Sequence, residues 1–596
     1  MRLLLLWIAS LTLFVACTSN EPMTDDVVET EDSMITHYLT VNLTGPSNVS
    51  TRAGFDSFEE GLKTENAISR IRFYFFDEHE NSIMIKGAEG SFNNYLDWYG
   101  NGLESGYKPD GEKDLNIEKT ITAHLKFQTY EEGKLPVSVV AILNASDQDL
   151  TDISNISDLN KVTGNFDILG ESSYFAMSSS VYADPDSKVL YEAVDIQDNI
   201  SQNENEAYWN PVILYVERIN AKVRVRMGEE LTAKPGNITL ADGRVLFNTQ
   251  VENNSTAKNG DEDNRVYVEL LGWNLSCEPV KSYLIKNIDP AWTNSALFGT
   301  EDFDWTNVSR KRSFWAINPV LTYYVAGSSD YRFGNYADAQ KIKGFGIDDN
   351  INYIYTQENA AEAKNKGTAH PTQVVIAARL VNSKGEPWEV VEWGTNYYKK
   401  EDLLTTLSDI ANIFEVTVSI TEEKDEEGNT ETVTTTEYKK LDEIYFKFVS
   451  AKDAGKITDD GGRYYTYFQL DSEKVKDKKL AMAVNGEDMK LEDINIKLSD
   501  ELAPAKIWTE GKTYYSFEIE HVRATDSEGN RISTFGVVRN HIYDAVLISF
   551  NSLGTPVFNE NDVIIPERTK DDDSFIAAQI NVLTWRLVSK NLQLEW

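Results

Sequence analysis

The stretch Met34–Phe55, MITHYLTVNLTGPSNVSTRAGF, decides how the rest of the chain is read. Leu39, Val41 and Leu43 alternate with Tyr38, Thr40 and Asn42, the period of a strand with one buried face. Gly45-Pro46-Ser47-Asn48 then breaks the pattern as a turn cluster does. A single basic residue, Arg52, follows in the exposed-looking run Ser50-Thr51-Arg52-Ala53-Gly54. This order predicts a strand that occupies its sheet only temporarily. A cut between Arg52 and Ala53 would release Leu39, Val41 and Leu43 and leave a groove for another chain to fill.

Upstream, residues 1–16 read as a targeting segment: Arg2, then the apolar run LLLLWIASLTLFVA, then Cys17. The run is shorter than the ~20 residues that span a bilayer and suits a secretory leader. A cysteine placed directly after a small residue is the lipoprotein arrangement, in which Cys17 becomes the acylated first residue. Phe14 departs from the commoner aliphatic residue, and an ordinary secretory leader with an incidental cysteine is the alternative. Thr18–Ser33 is acidic and without period, as a disordered tether is. Residues 17–52 thus form a lipidated leader with a removable first strand.

Composition narrows the function classes. Lys and Arg total 57 against 96 for Asp and Glu, a formal charge of −39, which repels phosphate backbones and argues against nucleic acid. The second cysteine, Cys277, has no intramolecular partner once Cys17 is acylated, so disulfides do not hold this fold. A buried inert thiol is its plain reading. Tyr, Phe, Trp, Thr and Val are plentiful, as pleated surfaces favour.

The downstream chain is predicted to be mainly β, with few short helices. Strands are expected over Ala67–Asp77, where Ile71, Phe73 and Phe75 alternate with Arg72, Tyr74 and Phe76, and over Ile121–Phe127. Another runs over Leu135–Leu143, apolar enough for a central position. Phe175–Tyr182 reads as a loop leaving a strand, and Val212–Val225 as two strand segments around Glu217-Arg218. A domain border falls over Met227–Pro235, dividing an N-terminal β-sandwich (53–230) from a C-terminal one (231–596). In the second part, strands are expected at Arg244–Val251, Val266–Leu275 and Val374–Val381, with Glu358–Lys366 a polar loop or helix. Glu415–Tyr438 reads as a projecting hairpin turning at Glu427-Gly428-Asn429. Tyr464–Leu470, Tyr514–His521 and His541–Asn551 are expected to complete one further sheet.

Several phrases carry a family resemblance. Arg539-Asn540-His541-Ile542-Tyr543, followed by Ser552-Leu553-Gly554-Thr555-Pro556-Val557, is similar to the closing phrase of Bacteroidales fimbrial major subunits, type V pilins, and resembles most the shaft subunit of the short fimbria. Val216–Val223, Phe175-Ala176-Met177-Ser178, Gly272-Trp273-Asn274-Leu275, Lys281-Ser282-Tyr283-Leu284 and Ser313-Phe314-Trp315-Ala316 resemble that family's internal phrases. Cys17, the Arg52-Ala53 step and a last strand over Gln579–Lys590 also sit where the family places its own. The resemblance implies two transthyretin-like β-sandwich domains and export as a lipoprotein to the outer membrane. It further implies removal of the leader by an arginine-specific protease and a mature form in extracellular fimbriae. Its partners would be identical subunits in a filament together with anchor and tip subunits, serving adhesion and biofilm formation.

The strand to be donated is expected within Ala577–Val588, with Ile580, Val582 and Val588 on one face and Leu583, Trp585 and Leu587 on the other. An ordinary last strand of its own domain is the alternative. A sheet edge left open recruits such a strand, and a leader held in cis resists displacement through its high effective concentration.

No catalytic residue, cofactor or metal site is predicted. The six histidines lack metal-ligand spacing, and His541 is a candidate structural hydrogen-bonder. Asp261-Glu262-Asp263 and Asp348-Asp349-Asn350 are oxygen-rich enough for calcium, or are simply solvated loops. Trp388 and Trp393 either stack on sugar or pack in the core. An anchored glycan-binding lipoprotein and an accessory or tip fimbrial subunit are therefore the rival functions.

Overall fold

The computed structural model describes residues 34–44, 65, 68–87, 91–99, 120–130, 134–147, 150, 152–166, 175–183, 190–252, 264–288, 318–319, 329–345, 352–362, 371–424, 426–456, 465–525, 531–550, 552–564 and 576–584.

The first part is built on β1 (Met34–Thr44), β2 (Ile71–Phe76), β3 (Thr120–Tyr130), β4 (Ser138–Leu143), β5 (Met177–Ser179), helix α1 (Glu204–Trp209) and β6 (Val212–Arg218). These strands lie in one sheet in the order β3-β1-β6-β5-β4-β2, extended by short pieces at both ends. The sheet curls until its two ends share a core. Leu39 and Val41 of β1 meet Phe127 of β3, Phe73 and Phe75 of β2, and Val139 and Ala141 of β4. The opposite faces of β2 and β4 feed a second cluster, in which Tyr74, Phe76, Val140 and Ile142 join Leu159, Leu284 and Ile285. As its continuous apolar run predicts, β4 is central and covered on both sides. β2 is buried at every position, so its second face does not meet solvent. Arg72 is tolerated there because its guanidinium lies 2.7 Å from Asp97 and 3.7 Å from the Tyr95 ring centroid. Phe175–Tyr182, expected as a loop, holds β5, which pairs with both β4 and β6.

The second part continues with β7 (Asn220–Met227), β8 (Val245–Glu252), β9 (Arg265–Ser276), β10 (Tyr353–Gln357), β11 (Asn359–Glu362) and β12 (Gln373–Val381). Then come β13 (Val390–Trp393), α2 (Lys400–Ala411), β14 (Phe414–Lys424), β15 (Thr430–Lys440), β16 (Thr466–Leu470), α3 (Leu491–Glu501) and β17 (Ala505–Trp508). The chain closes with β18 (Lys512–Glu518), β19 (His541–Phe550) and β20 (Ile576–Thr584). A sheet containing β8-β9-β12-β18 packs against a sheet ordered β10-β7-β19-β20. Val223 and Val225 of β7 and Tyr543, Ala545 and Leu547 of β19 meet Phe247, Val268, Trp273, Val374 and Ile376 between them. Gly272 allows this closure, since a Cβ there would lie 2.6 Å from the Ala339 carbonyl oxygen.

Two expectations are corrected by this topology. Glu358–Lys366 supplies β11, which pairs with Arg531–Val537. Tyr464–Leu470, Tyr514–His521 and His541–Asn551 do not share a sheet; β16, β18 and β19 fall in three. The reason is an insertion between β12 and β18. β13, α2, β14–β17 and α3 enclose a core of their own around Leu403, Leu407, Phe446, Phe468, Ile494 and Leu498. The expected hairpin is real and belongs to this module as β14–β15, with eleven residue pairs in register from Phe414↔Lys440 to Lys424↔Thr430. It is largely exposed, Ile420 included.

Candidate strand-exchange site

β1 is an inner strand. Along one edge it pairs antiparallel with β3 over its whole length, from Met34↔Tyr130 to Thr44↔Thr120. Along the other it pairs parallel with β6 from Val41↔Val212 to Thr44↔Tyr215. β6 does not reach the first half of β1, and there Ser201 takes its place. Tyr38 N–H donates to the Ser201 carbonyl at 2.7 Å, and Ser201 N–H donates to the Tyr38 carbonyl at 3.1 Å. Vacating β1 would leave two facing rows of unpaired backbone groups, which the interior of a sheet does not tolerate.

The side chains of β1 explain how firmly it is seated. Leu39 and Val41 are 1% and 0% exposed. Leu43 stands opposite Ile121 on β3 and Leu214 on β6 in register. Thr40, placed by the alternation on the other face, is buried as well, because that face is covered. Its Oγ1 lies 3.1 Å from Nδ1 of His124, on which the Tyr208 ring of α1 stacks at 5.2 Å. Asn203 caps α1 by accepting the Asn205 N–H, and the Ser201 hydroxyl donates to Glu206 at 2.7 Å. His37 is buried with its ring 5.6 Å from Phe127 and Nε2 at 3.0 Å from Thr129 Oγ1. Burial lowers its pKa. Cys17, Arg52 and Ala53 lie outside the described residues.

Four of the phrases that carry the family resemblance meet at one place. Between β6 and β7, at Ile219, the chain passes from the first sheet into the four-stranded sheet, upstream of the Met227–Pro235 border expected from sequence. Ile219 N–H donates to the Ala176 carbonyl and Asn540 N–H to the Asn220 carbonyl. Arg539 is fully buried; its Nε is 3.0 Å from Glu358, and its other nitrogens donate to the carbonyls of Leu284 and Tyr283. Lys286 pairs with Glu217 at 2.8 Å and Lys222 with Glu65 at 3.0 Å, all four buried. Arg218 donates to the Glu65 carbonyl and to Asn540 Oδ1, and the Tyr355 hydroxyl donates to the Glu65 carboxylate. Buried charges persist only when paired and hydrogen-bonded. Glu65, downstream of Arg52, is thus pinned to β7. Composition gave no sign of the Glu65 cluster or of the Ser201 contact, because neither has a sequence period. Ser313–Ala316 lies outside the described residues.

At the other end, β20 runs antiparallel along β19 from His541↔Thr584 to Phe550↔Ile576. Ile580, Val582 and Leu583 stand opposite Ala545, Tyr543 and Ile542. The first eight residues of the expected donor, Ala577–Thr584, are therefore paired within their own chain, at the edge of the four-stranded sheet. Trp585, Leu587 and Val588 lie outside the described residues.

The remaining candidates have structural roles. His541 places Nδ1 2.8 Å from the Arg539 carbonyl. Cys277 is fully buried, and burial pushes its thiol up to about 12. Trp388 packs on the core of the second sandwich with the Lys399 ammonium 5.3 Å from its ring, and the Trp393 indole N–H donates to the Ala503 carbonyl. Both rings serve packing. Among the described residues no group of three or more His, Cys, Asp or Glu is placed to hold a metal; Asp261–Asp263 and Asp348–Asn350 lie outside them.

Residues 506–591, from β17 through β20, match the family described as major fimbrial subunit protein type IV, fimbrillin, C-terminal. The match supports a fimbrillin-like protein. Among solved structures, the chain is similar to a candidate cell adhesion protein from Parabacteroides distasonis ATCC 8503, at 11% identity, 93% and 98% coverage of the two chains and a TM-score of 0.36. It is also similar to the C-terminally truncated tip fimbrial protein Mfa3 from Porphyromonas gingivalis, at 10% identity, 92% and 100% coverage and a TM-score of 0.30. A fimbrial assembly protein from Parabacteroides distasonis shares 9% identity, 68% and 100% coverage and a TM-score of 0.26. No curated protein matches the chain.

Proposed function

We propose that this chain is the structural subunit of a fimbrial shaft. It is exported as a lipoprotein through Cys17 and freed to polymerise when an arginine-specific protease cuts between Arg52 and Ala53. The observation that carries this reading is the position of β1 inside its sheet, hydrogen-bonded on both edges, at the head of a segment that leads directly to Arg52. Loss of that strand opens a shaped slot, and a strand from the C-terminal end of a second copy fills it. The Glu65–Lys222 pair supports the order of events, because it ties the stretch beyond the cut to β7. The leader can then leave while the newly exposed end of the chain stays anchored.

The slot is already shaped by folding, so an incoming strand meets a preformed apolar floor and two rows of backbone partners. The work of the protein is assembly with identical subunits, and with anchor and tip subunits, in extracellular fimbriae that support adhesion and biofilm formation. No chemistry is required of it.

Mass spectrometry of the N-terminus of surface-sheared material tests the reading. Ala53 as the first residue is expected; acylated Cys17 on all of the material would overturn it. Arg52→Ala is expected to give a lipidated, monomeric precursor, and normal filaments from that variant would contradict the proposal.

A further inference from the structure

We propose that the cleft beside α1, bordered by Trp209, binds a neutral saccharide. The site is complete in the uncut chain, so the proposal stands apart from the strand-exchange reading.

Trp209 closes α1 with 72% of its surface exposed, and Tyr208 before it is 49% exposed. Their rings meet edge to face, with centroids 5.0 Å apart and planes at 85°. Tyr208 stacks in turn on His124 at 5.2 Å, and His124 Nδ1 lies 3.1 Å from Thr40 Oγ1. The indole is thus braced through Tyr208 and His124 against β3 and β1, while most of its surface meets water. A braced ring loses little freedom when it takes up a ligand.

Beside it opens a cleft of about 530 Å³ bordered by Asp198, Asn199, Asn205, Glu206, Trp209 and Asn210, within the ~300–1,000 Å³ of small-ligand sites. Its walls are tied to each other. The Asn199 amide donates to the Asn210 carbonyl at 3.0 Å, and the Asn210 amide donates to the Asp198 carbonyl at 2.6 Å. The Ser201 hydroxyl holds Glu206 at 2.7 Å. The cleft is therefore shaped before a ligand arrives.

The lining selects the ligand. Among the described residues no Lys, Arg or His borders the cleft, and its charges are the carboxylates of Asp198 and Glu206. Phosphate, sulfate and acidic sugars would be repelled. The Asn205 side chain and the Trp209 indole N–H have no partner among the described residues. The Asn205 amide donates and accepts, the indole donates, and the Asp198 carboxylate accepts. This mixture suits hydroxyl groups, which do both. A cationic ligand brings donors alone and would leave the amide and indole N–H groups unmatched. A pyranose also presents a face of C–H groups, which lies against the electron-rich face of an aromatic ring.

The test titrates the uncut chain with lactose, maltose, cellobiose and N,N′-diacetylchitobiose, read by saturation-transfer NMR and tryptophan fluorescence. At least one of these sugars is expected to bind saturably. Trp209→Ala is expected to weaken that binding at least about tenfold, and Trp209→Phe, which keeps a ring, by no more than about threefold. Asn205→Ala is expected to weaken it about fivefold. Both side chains are exposed, so the variants should melt with the parent. Binding of none of the four sugars, or binding that Trp209→Ala leaves unchanged, would overturn the proposal. So would tighter Trp209-dependent binding of an oligo-arginine peptide, which would make the cleft a cation site. Self-association in sedimentation that Trp209→Ala abolishes would make it a contact between copies and overturn the proposal as well. No leader is cut in these measurements, so their failure leaves the shaft reading where it stands.

Discussion

Tyr38 and Ser201 exchange both of their backbone hydrogen bonds, so a loop of the first sandwich holds the half of β1 that β6 does not reach. Ser201→Pro keeps the carbonyl but removes the N–H that the Tyr38 carbonyl accepts. One lost bond is worth about 1 kcal/mol, which corresponds to roughly fivefold faster loss of the leader after cleavage. Following the co-elution of the cut leader with the protein over time measures this. An unchanged rate would show that Ser201 does not hold β1.

Leu39 and Val41 are buried in the core of the first sheet, and the proposed cleavage would take both away. Leu39→Ala is expected to destabilise the uncut precursor by about 2–5 kcal/mol, as large-to-small core substitutions do. The same gene product, once cut and freed of its leader, should unfold like the parent, because the altered residue has gone. Denaturant titrations of both forms check the contrast.

His37 gives the precursor a pH signature. Burial lowers its folded pKa below the unfolded value, so the unfolded chain binds more protons in the window between them. Its contribution is fully present above about pH 6.5, the unfolded histidine value, and is lost as pH falls toward the folded pKa. His37→Gln is expected to flatten that part of the stability–pH curve of the precursor. A curve unchanged by the substitution would assign the slope to other groups.

Lys222 is the ammonium partner of Glu65, and removing it leaves a buried carboxylate without its cation. Lys222→Met should cost roughly 3–5 kcal/mol, and adding Glu65→Leu should restore much of it, since the unpaired charge is the main penalty. Because Glu65 lies downstream of Arg52, cut and uncut forms should suffer alike. A loss confined to the precursor would refute this account.

Cys277 should be inert in the folded protein. Its thiol is buried and its pKa is raised to about 12, so almost no thiolate exists at neutral pH. Alkylation at pH 8 and then mass spectrometry should show label on it only after denaturation.

Much of the fold was legible in the sequence where periodicity carries information. Leu39, Val41 and the run of β4 announced their strands because the pleat repeats every two residues, and the Gly428 turn announced its hairpin. β11 was hidden by its polar composition. The three sheets of β16, β18 and β19 were hidden because strands look alike whichever core they join. The burial of Thr40, on the face opposite Leu39, was not legible because α1, which covers it, lies far along the chain from β1. The Arg539–Glu358 and Lys222–Glu65 pairs were invisible for the same reason, since a charged residue in a sequence does not show its partner. The Arg539–Tyr543 phrase was recognisable, but only the structure shows that it knots the two sandwiches together.

The insertion between β12 and β18 leaves and rejoins its host at neighbouring points, with Arg379 and Lys512 side by side in register. A graft at that position closes a short loop whatever its size, and loop closure grows only slowly more costly with length. An exchange of this module that keeps Val390 and Trp508, both buried in the core of the second sandwich, would leave β1 and the strands that flank it untouched. The module is therefore the position at which the host sandwich tolerates a graft of another size.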